Sequence, residues 1–321
     1  MAVYLQVASL AHMTGMVFPH LDTSVIGGLG LLFLGISFHS KKDWADYISF
    51  PGWVLISSYF FLGTEHYYEI KDWTLVFMSA AALPLGIAVG IWDIRNAYNG
   101  ISEPTMLWFR GMIFWAGTPY FLVENIPLLN KGLVLFVAYQ AVFFMKWSGA
   151  GDYSVGDVYV QNADGSSTTW NDWSGSHYWL TDSLGDAGIY AEVLTESGIP
   201  IVNIVLGCTA LQSMIIFVGA IVALNIGWKR KMRGLAIAIP LIHLLNIFRN
   251  AGVIWLDQSY QNWEWLGLNM FDFAHLHAAK FGSLTIMFLL SLVLFEILPE
   301  LHKNVLKLLD PIMKISKKNT R

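Results

Sequence analysis

Apolar residues run along this chain in blocks longer than the core helix of a soluble domain needs. Residues 23–40, 47–64, 73–92 and 197–228 contain no Asp, Glu, Lys or Arg. Each block is near or above the roughly 18 residues that mark a membrane-spanning helix. Hydropathy, punctuated by turns and charges, predicts spans near 4–20, 23–39, 48–64, 73–92, 106–123, 128–146, 199–227, 234–256 and 273–297. Those at 4–20 and 106–123 are short or interrupted, the latter by Arg110 and Pro119. The expectation is therefore an all-α polytopic membrane protein with about eight transmembrane helices. Met1 is followed by neither a basic segment nor a small-residue cleavage site, so no removed signal peptide is expected.

Between the spans, residues 157–161 and 166–170 alternate around Asp164-Gly165, which predicts a β-hairpin. This places a small extracytoplasmic insert inside the helical frame. Five segments follow: N-terminal helices at 1–104, further helices at 105–147, the acidic insert at 148–198, the helices of the candidate site at 199–300, and a basic tail at 301–321.

Composition agrees with the pattern. Of 321 residues 55% are hydrophobic and 13% charged, about half the charge of an ordinary soluble domain. The net charge of −4 conceals an asymmetry. Residues 147–198 hold eight acids and no Lys or Arg, which leaves 19 basic against 15 acidic residues elsewhere. The basic residues at 229–233 and in the tail from 303 onward predict two cytoplasmic segments separated by two spans. The insert and the loop at 257–272 then lie outside. Lys41 and Lys42 suggest another cytoplasmic loop, yet counting single passes from there puts the insert on the wrong side. One predicted span in the first half must be wrong, or one segment re-entrant. The absence of a basic stripe argues against nucleic-acid binding.

Cys208 is the single cysteine, which excludes an intramolecular disulfide and a Cys-based zinc cage. It is expected about ten residues into a helix entered from outside. Arg249 is expected a few residues below the outer end of the next helix, and His275 at the outer entry of the last. An arginine at membrane depth costs at least ~2.5 kcal/mol and calls for a partner. A thiol beside a permanent cation gains thiolate character, and an imidazole can carry the proton. The three form a sufficient kit for acyl transfer. Gln212, Asn246 and Asn250 are candidate supporting donors, and Glu124 is a lone carboxylate between apolar runs, either a loop residue or a partner for a buried base. Each residue also has a plainer reading: Cys208 as a small hydrophobe, Arg249 in packing or gating, His275 as an interfacial residue bonded to Asp272. No metal or cofactor is expected. His275 and His277 point to different helix faces, and the GAGD string at 149–152 lacks the second motif of an aspartyl protease.

The strings GCTALQSM (207–214), IPLIHLLNIFRN (239–250) and AHLHAAKFGSL (274–284) resemble the signature blocks of the archaeosortase/exosortase family. FWAGTPYFLVENIP (114–127) is similar to a further block of its archaeosortase A branch. The resemblance implies a membrane-embedded cysteine transpeptidase facing the outside, with Cys208 as nucleophile, Arg249 as its arginine and His275 as acid/base. His275 fits the family's spacing to Gly282 and Ser283 better than His277, which stays as the alternative. Such enzymes recognise secreted proteins that end in a short motif such as Pro-Gly-Phe, a hydrophobic span and a basic cluster. They are thought to pass the new C-terminus to a lipid amine. Proteolysis without transfer, and transport of an anion held by Arg249, are the rival expectations.

Overall fold

The computed structural model describes residues 20–40, 42–69, 72–99, 103–265 and 267–319. The expected span at 4–20 lies outside the described residues, apart from His20. The chain is mostly helical. Helices α1 (His20–His39), α2 (Asp43–Leu62), α3 (Thr64–Glu69), α4 (Trp73–Tyr98), α5 (Pro104–Asn125) and α6 (Pro127–Ser148) come first. A sheet follows, with β1 (Tyr153–Asn162), β2 (Ser167–Thr169), β3 (Leu184–Thr195) and β4 (Pro200–Val205). A 3-10 turn at Leu206–Thr209 leads to α7 (Leu211–Val222) and α8 (Trp228–Ser259). A short ribbon of β5 (Glu264–Trp265) and β6 (Leu268–Asn269) precedes α9 (Met270–Ile297), which contains a π turn at Phe273–Ala278, and α10 (Pro299–Asn319).

Among the described residues, four helices are long and apolar enough to cross a membrane: α4, α6, α8 and α9. Helix α7 and the apolar part of α1 are shorter. In the N-terminal half, α2 packs between α1 and α4, and α1 also touches α5. Leu31, Leu34, Trp53 and Ile56 form the apolar core there. Next to it lies a buried ionic cluster. Arg110, 3% exposed, donates through Nε and Nη2 to both carboxylate oxygens of Asp93, itself 1% exposed. Its Nη1 reaches Ser37 and Asp46. Ser49 and Trp53 Nε1 also donate to Asp93. Four helices are thus tied at one point, with both charges saturated by hydrogen bonds.

The sheet is antiparallel, in the order β2-β1-β3-β4. Tyr159 pairs with Thr169 across the Asp164-Gly165 turn, where Gly165 takes a left-handed φ of 83°. Ala191 in β3 faces Val158 on one side and Ile204 on the other. The apolar face formed by Val158, Val160, Ile189, Ala191, Val193 and Ile204 lies on α6, whose Val134, Val137, Ala138, Val142 and Met145 complete one core. Helix α6 therefore acts as the helical layer beneath the sheet along most of its length. Contacts at its two ends agree. The Leu180 amide donates to the Asn125 carbonyl and the Leu128 amide to the His177 carbonyl, while Lys146 pairs with Asp152. Gly149 of the GAGD string, with φ 73°, closes α6 as a left-handed C-cap.

The largest correction concerns the expected span at 199–227. It is three elements: strand β4, the 3-10 turn and α7. The segment PIVNIV is rich in β-branched residues, which suit a strand against β3. An uncharged run has no mark at the point where a strand ends and a helix begins. Helix α7 then packs against α5. A Cβ on Gly219 would fall 2.4 Å from the Met112 carbonyl oxygen, so only glycine permits this approach. A second core joins α5, α7, α8 and α9 through Trp108, Phe217, Ile221, Ala238 and Leu294.

Candidate active site

Cys208 is not ten residues into a helix, as its place in an uncharged run suggested. It sits in the tight turn between β4 and α7, 7% exposed, and packs with Ile204, Ala251 and Ile254 in the core beneath the sheet. Local geometry explains the turn. Thr209 Oγ1 donates to the Leu206 carbonyl at 2.7 Å. Ala210 follows with φ 56°, the one non-glycine in the left-handed region among the described residues. Such a conformation is sparsely populated by residues with a Cβ, and here it redirects the chain from strand into α7.

Helix α8 holds this turn in place. Asn246 Nδ2 and Asn250 Nδ2, one helical turn apart, both donate to the Cys208 carbonyl, at 2.8 and 2.9 Å. The two asparagines expected to support the thiol thus grip its backbone instead. Both are buried, and a carbonyl has two lone pairs for two donors. Arg249 is the neighbour of Asn250 on the same helix and is half-buried. No described residue makes a hydrogen bond or ion pair to its guanidinium.

A cavity of about 780 Å³ opens beside these groups. Gly207 and Ala210, which flank the cysteine, form one side of it, and Arg249, Asn246 and Val253 another. Ala274 and Ala278, which bracket the histidine pair, form the third, and Gln212 and Ser213 begin α7 at its wall. Cys208 and His275 lie behind this lining, one step back in sequence from residues that form it. His275 is half-buried and stacks on Phe271, with ring centroids 5.4 Å apart and planes 4° apart. His277 is exposed and leans on Phe273 instead. Helix α8 touches both the cysteine turn and the π turn that bears His275. Among the described residues no three His, Cys, Asp or Glu side chains are grouped to hold a metal ion.

Two further features of the cavity were not anticipated. Asp72, at the start of α4, and Lys280 both line it, with Oδ2 and Nζ 3.8 Å apart. Asp72 also caps α4 by accepting from the Leu75 amide. With Arg249 and Lys280 against one carboxylate, the cavity carries one surplus positive charge. Glu124 does not meet a buried base. It accepts from Tyr59 at 2.7 Å, and the Tyr120 hydroxyl one turn away receives Gln212 Nε2 at 3.3 Å. Tyr59 lies 65 residues from Glu124 with no spacing signal to pair them, whereas Tyr120 stands four residues before it on the same helix face. The lone charge at Glu124 inside an apolar run was the only sign that a partner existed.

Over 48 residues the chain is 50% identical to archaeosortase A of Haloferax volcanii, a stretch covering 15% of this chain and 16% of that protein. No solved structure matches the chain. Residues 4–295 match the family described as transmembrane exosortase (Exosortase_EpsH). Because that match takes in nearly the whole chain, including every element around the cavity, the chain belongs to the transmembrane exosortase family.

Proposed function

We propose that this chain is a membrane-embedded cysteine transpeptidase that cleaves C-terminal sorting signals of secreted or surface-layer proteins and passes the new C-terminus to a lipid amine. The observation that carries this reading is the grip of Asn246 and Asn250 on the Cys208 carbonyl. It fixes the only thiol against the helix whose Arg249 lines the cavity with no partner among the described residues. In the mechanism the Cys208 thiolate attacks the scissile carbonyl carbon, and Arg249 balances the charge that develops on its oxygen. The C–N bond breaks as His275 gives its proton to the departing amine. An acceptor amine then attacks the thioester, returns its proton to His275, and releases the thiolate. Attack by water instead would give simple proteolysis, and a largely apolar wall disfavours that outcome. No cofactor enters any step.

The membrane topology belongs to the same proposal. The basic residues at 229–233 and in α10 put the start of α8 and the end of α9 in the cytoplasm. Helix α7 then starts outside, together with the sheet. Because α6 carries sheet contacts at both ends, we assign it to the outer face as part of that α/β unit, not to a membrane crossing. Helices α1, α2, α4 and α5 then alternate so that Lys42 is cytoplasmic and Asp72 and Asn125 are outside. This removes the parity conflict of nine passes. Seven passes then lie among the described residues, and the expected span at 4–20 lies outside them. The cavity opens to the outer leaflet and the C-terminus is cytoplasmic. Cysteines introduced at 129 and 149 in a Cys208→Ser background test it: both should react with an impermeant maleimide added outside whole cells. Reaction at only one of them would put α6 back across the bilayer.

The test of the activity is processing of a reporter that ends in Pro-Gly-Phe, a hydrophobic span and a basic cluster, followed by gel shift and lipid labelling. Cys208→Ser should abolish both. A second reading rests on the unpaired Arg249, which in a transporter would hold a passing anion. Processing at the wild-type rate by Cys208→Ser would favour it.

A further inference from the structure

The cavity changes character along its length. Helices α8 and α9 are joined by the β5-β6 ribbon, so their lining residues can be ordered by distance from that end. Arg249 and Lys280, with Asp72, stand in the half that adjoins the cysteine turn. Seven residues further along each helix, about 10 Å, come Ile242 on α8 and Met287 on α9, with Leu245 and Ile286 near them. The wall at that far end is apolar. Phe248 and Leu284 line the cavity yet are exposed, so it opens sideways between two helices long and apolar enough to cross a membrane.

Two glycines point to what fits there. Gly252 on α8 and Gly282 on α9 both line the cavity, and a Cβ added to either would meet nothing within 4 Å. Gly30 and Gly219, in contrast, sit where the backbone of another helix leaves no room for a Cβ. Gly132, exposed on α6, is the one other helical glycine among the described residues with such open space. Glycine weakens a helix relative to alanine, and close approach of a second backbone is what offsets that loss. In lipid, small residues are the means by which helix backbones meet; an acyl chain has no need of them.

We infer that the far half of the cavity is a groove for the first turns of an apolar transmembrane helix of the substrate, the segment that follows the bond cut, and that Gly282 lets its backbone come close to α9. The inference rests on the proposed peptidase reading of the near half. Gly207 and Ala210, beside Cys208, line the same cavity, so a chain cut at the thiol continues directly into the groove. The helix enters sideways from the bilayer, past Phe248 and Leu284. The substrate class that fits is a membrane-anchored protein whose cut site lies within about 10 Å of its span.

The experiment uses the full-length protein in lipid bicelles and compares a Pro-Gly-Phe peptide that carries a hydrophobic span with a short soluble peptide of the same motif. Gly282→Leu fills the groove. Because its Cβ meets nothing within 4 Å and leucine favours helix, the variant should melt no lower than wild type. On the span-bearing peptide it should lose about tenfold in kcat/KM, mainly in KM, the scale of an overfilled packing site. The preference for that peptide over the short one should fall by the same factor. Thr285→Leu, exposed on the side of α9 away from the cavity, should change neither. A benzophenone in the first turn of the span should label residues 279–287 in wild type and not in Gly282→Leu. An equal loss on both peptides would overturn the inference. So would a loss of lipid transfer with cleavage of both peptides intact, which would make the groove a lipid site. Its failure is distinct from failure of the peptidase reading: Cys208→Ser would still be inactive in the first case and active in the second.

Discussion

Two arginines enter the apolar body of this protein and meet opposite surroundings. Arg110 is enclosed: Asp93 takes it with two bonds, and Ser37 and Asp46 complete its fork. Arg249 is half-buried in a cavity wall and has no partner among the described residues. A cation in an apolar setting is costly unless it is paired. The first arginine spends its charge inside the fold, joining four helices. The second keeps its charge available, unmatched by any group among the described residues. A third arginine completes the scale: Arg230 at the start of α8 forms a bidentate pair with Glu300 of α10, both of them partly exposed.

Substitutions that exchange or remove these roles test the division. The largest effect is expected at Arg110. Arg110→Met strands the buried Asp93 carboxylate and should cost about 3–5 kcal/mol, seen as loss of folded protein or a steep fall in melting temperature in detergent. Next, Arg249→Lys keeps the charge but loses the fork. Processing should fall about 10²–10³-fold, the scale of removing one oxyanion donor, with the melting temperature unchanged. A large thermal shift would show that Arg249 is structural after all. Asn246→Ala and Asn250→Ala should each cost about 1 kcal/mol, and the double variant should cost more than their sum, because the Cys208 carbonyl then loses both donors. Unfolding and processing should decline together in that series. The smallest effect belongs to Glu300→Gln, which should leave the melting temperature at neutral pH nearly unchanged. The Arg230 guanidinium holds the Glu300 carboxyl below the usual range. Its small contribution is therefore present at neutral pH and is lost as the pH falls through that depressed value.

Hydropathy alone was enough to read a helical membrane protein here, and the few charges showed where chemistry could reside. Arg249 and Cys208 stood out because each was an oddity in its setting, and Asn246 and Asn250 of the arginine's helix hold the cysteine's carbonyl. Three things were not legible. Strand β4 is as uncharged as the helix after it, so the turn that carries Cys208 disappeared inside one long run. Helix α6 is apolar on both faces, one packed on the sheet and one exposed through Phe136, Phe143 and Trp147, and hydropathy says nothing of the sheet that it carries. Arg110 read only as an interruption of its helix, since Asp93 and Asp46 lie 17 and 64 residues away. Pairing across such separations depends on how helices pack, and a single sequence contains no record of it.

The central claim is that the arginine without a partner serves the cysteine beside it, and a covalent intermediate tests it most directly. Full-length protein would be incubated with the Pro-Gly-Phe reporter and hydroxylamine, which intercepts thioesters, and both partners examined by intact mass. The account predicts an acyl adduct on Cys208 when hydroxylamine is left out and, in its place, a reporter hydroxamate ending at the cleavage site when it is added. Both should be absent in Cys208→Ser and much reduced in Arg249→Lys. Mature reporter formed at the normal rate, with no adduct on Cys208 and no hydroxamate, would contradict it.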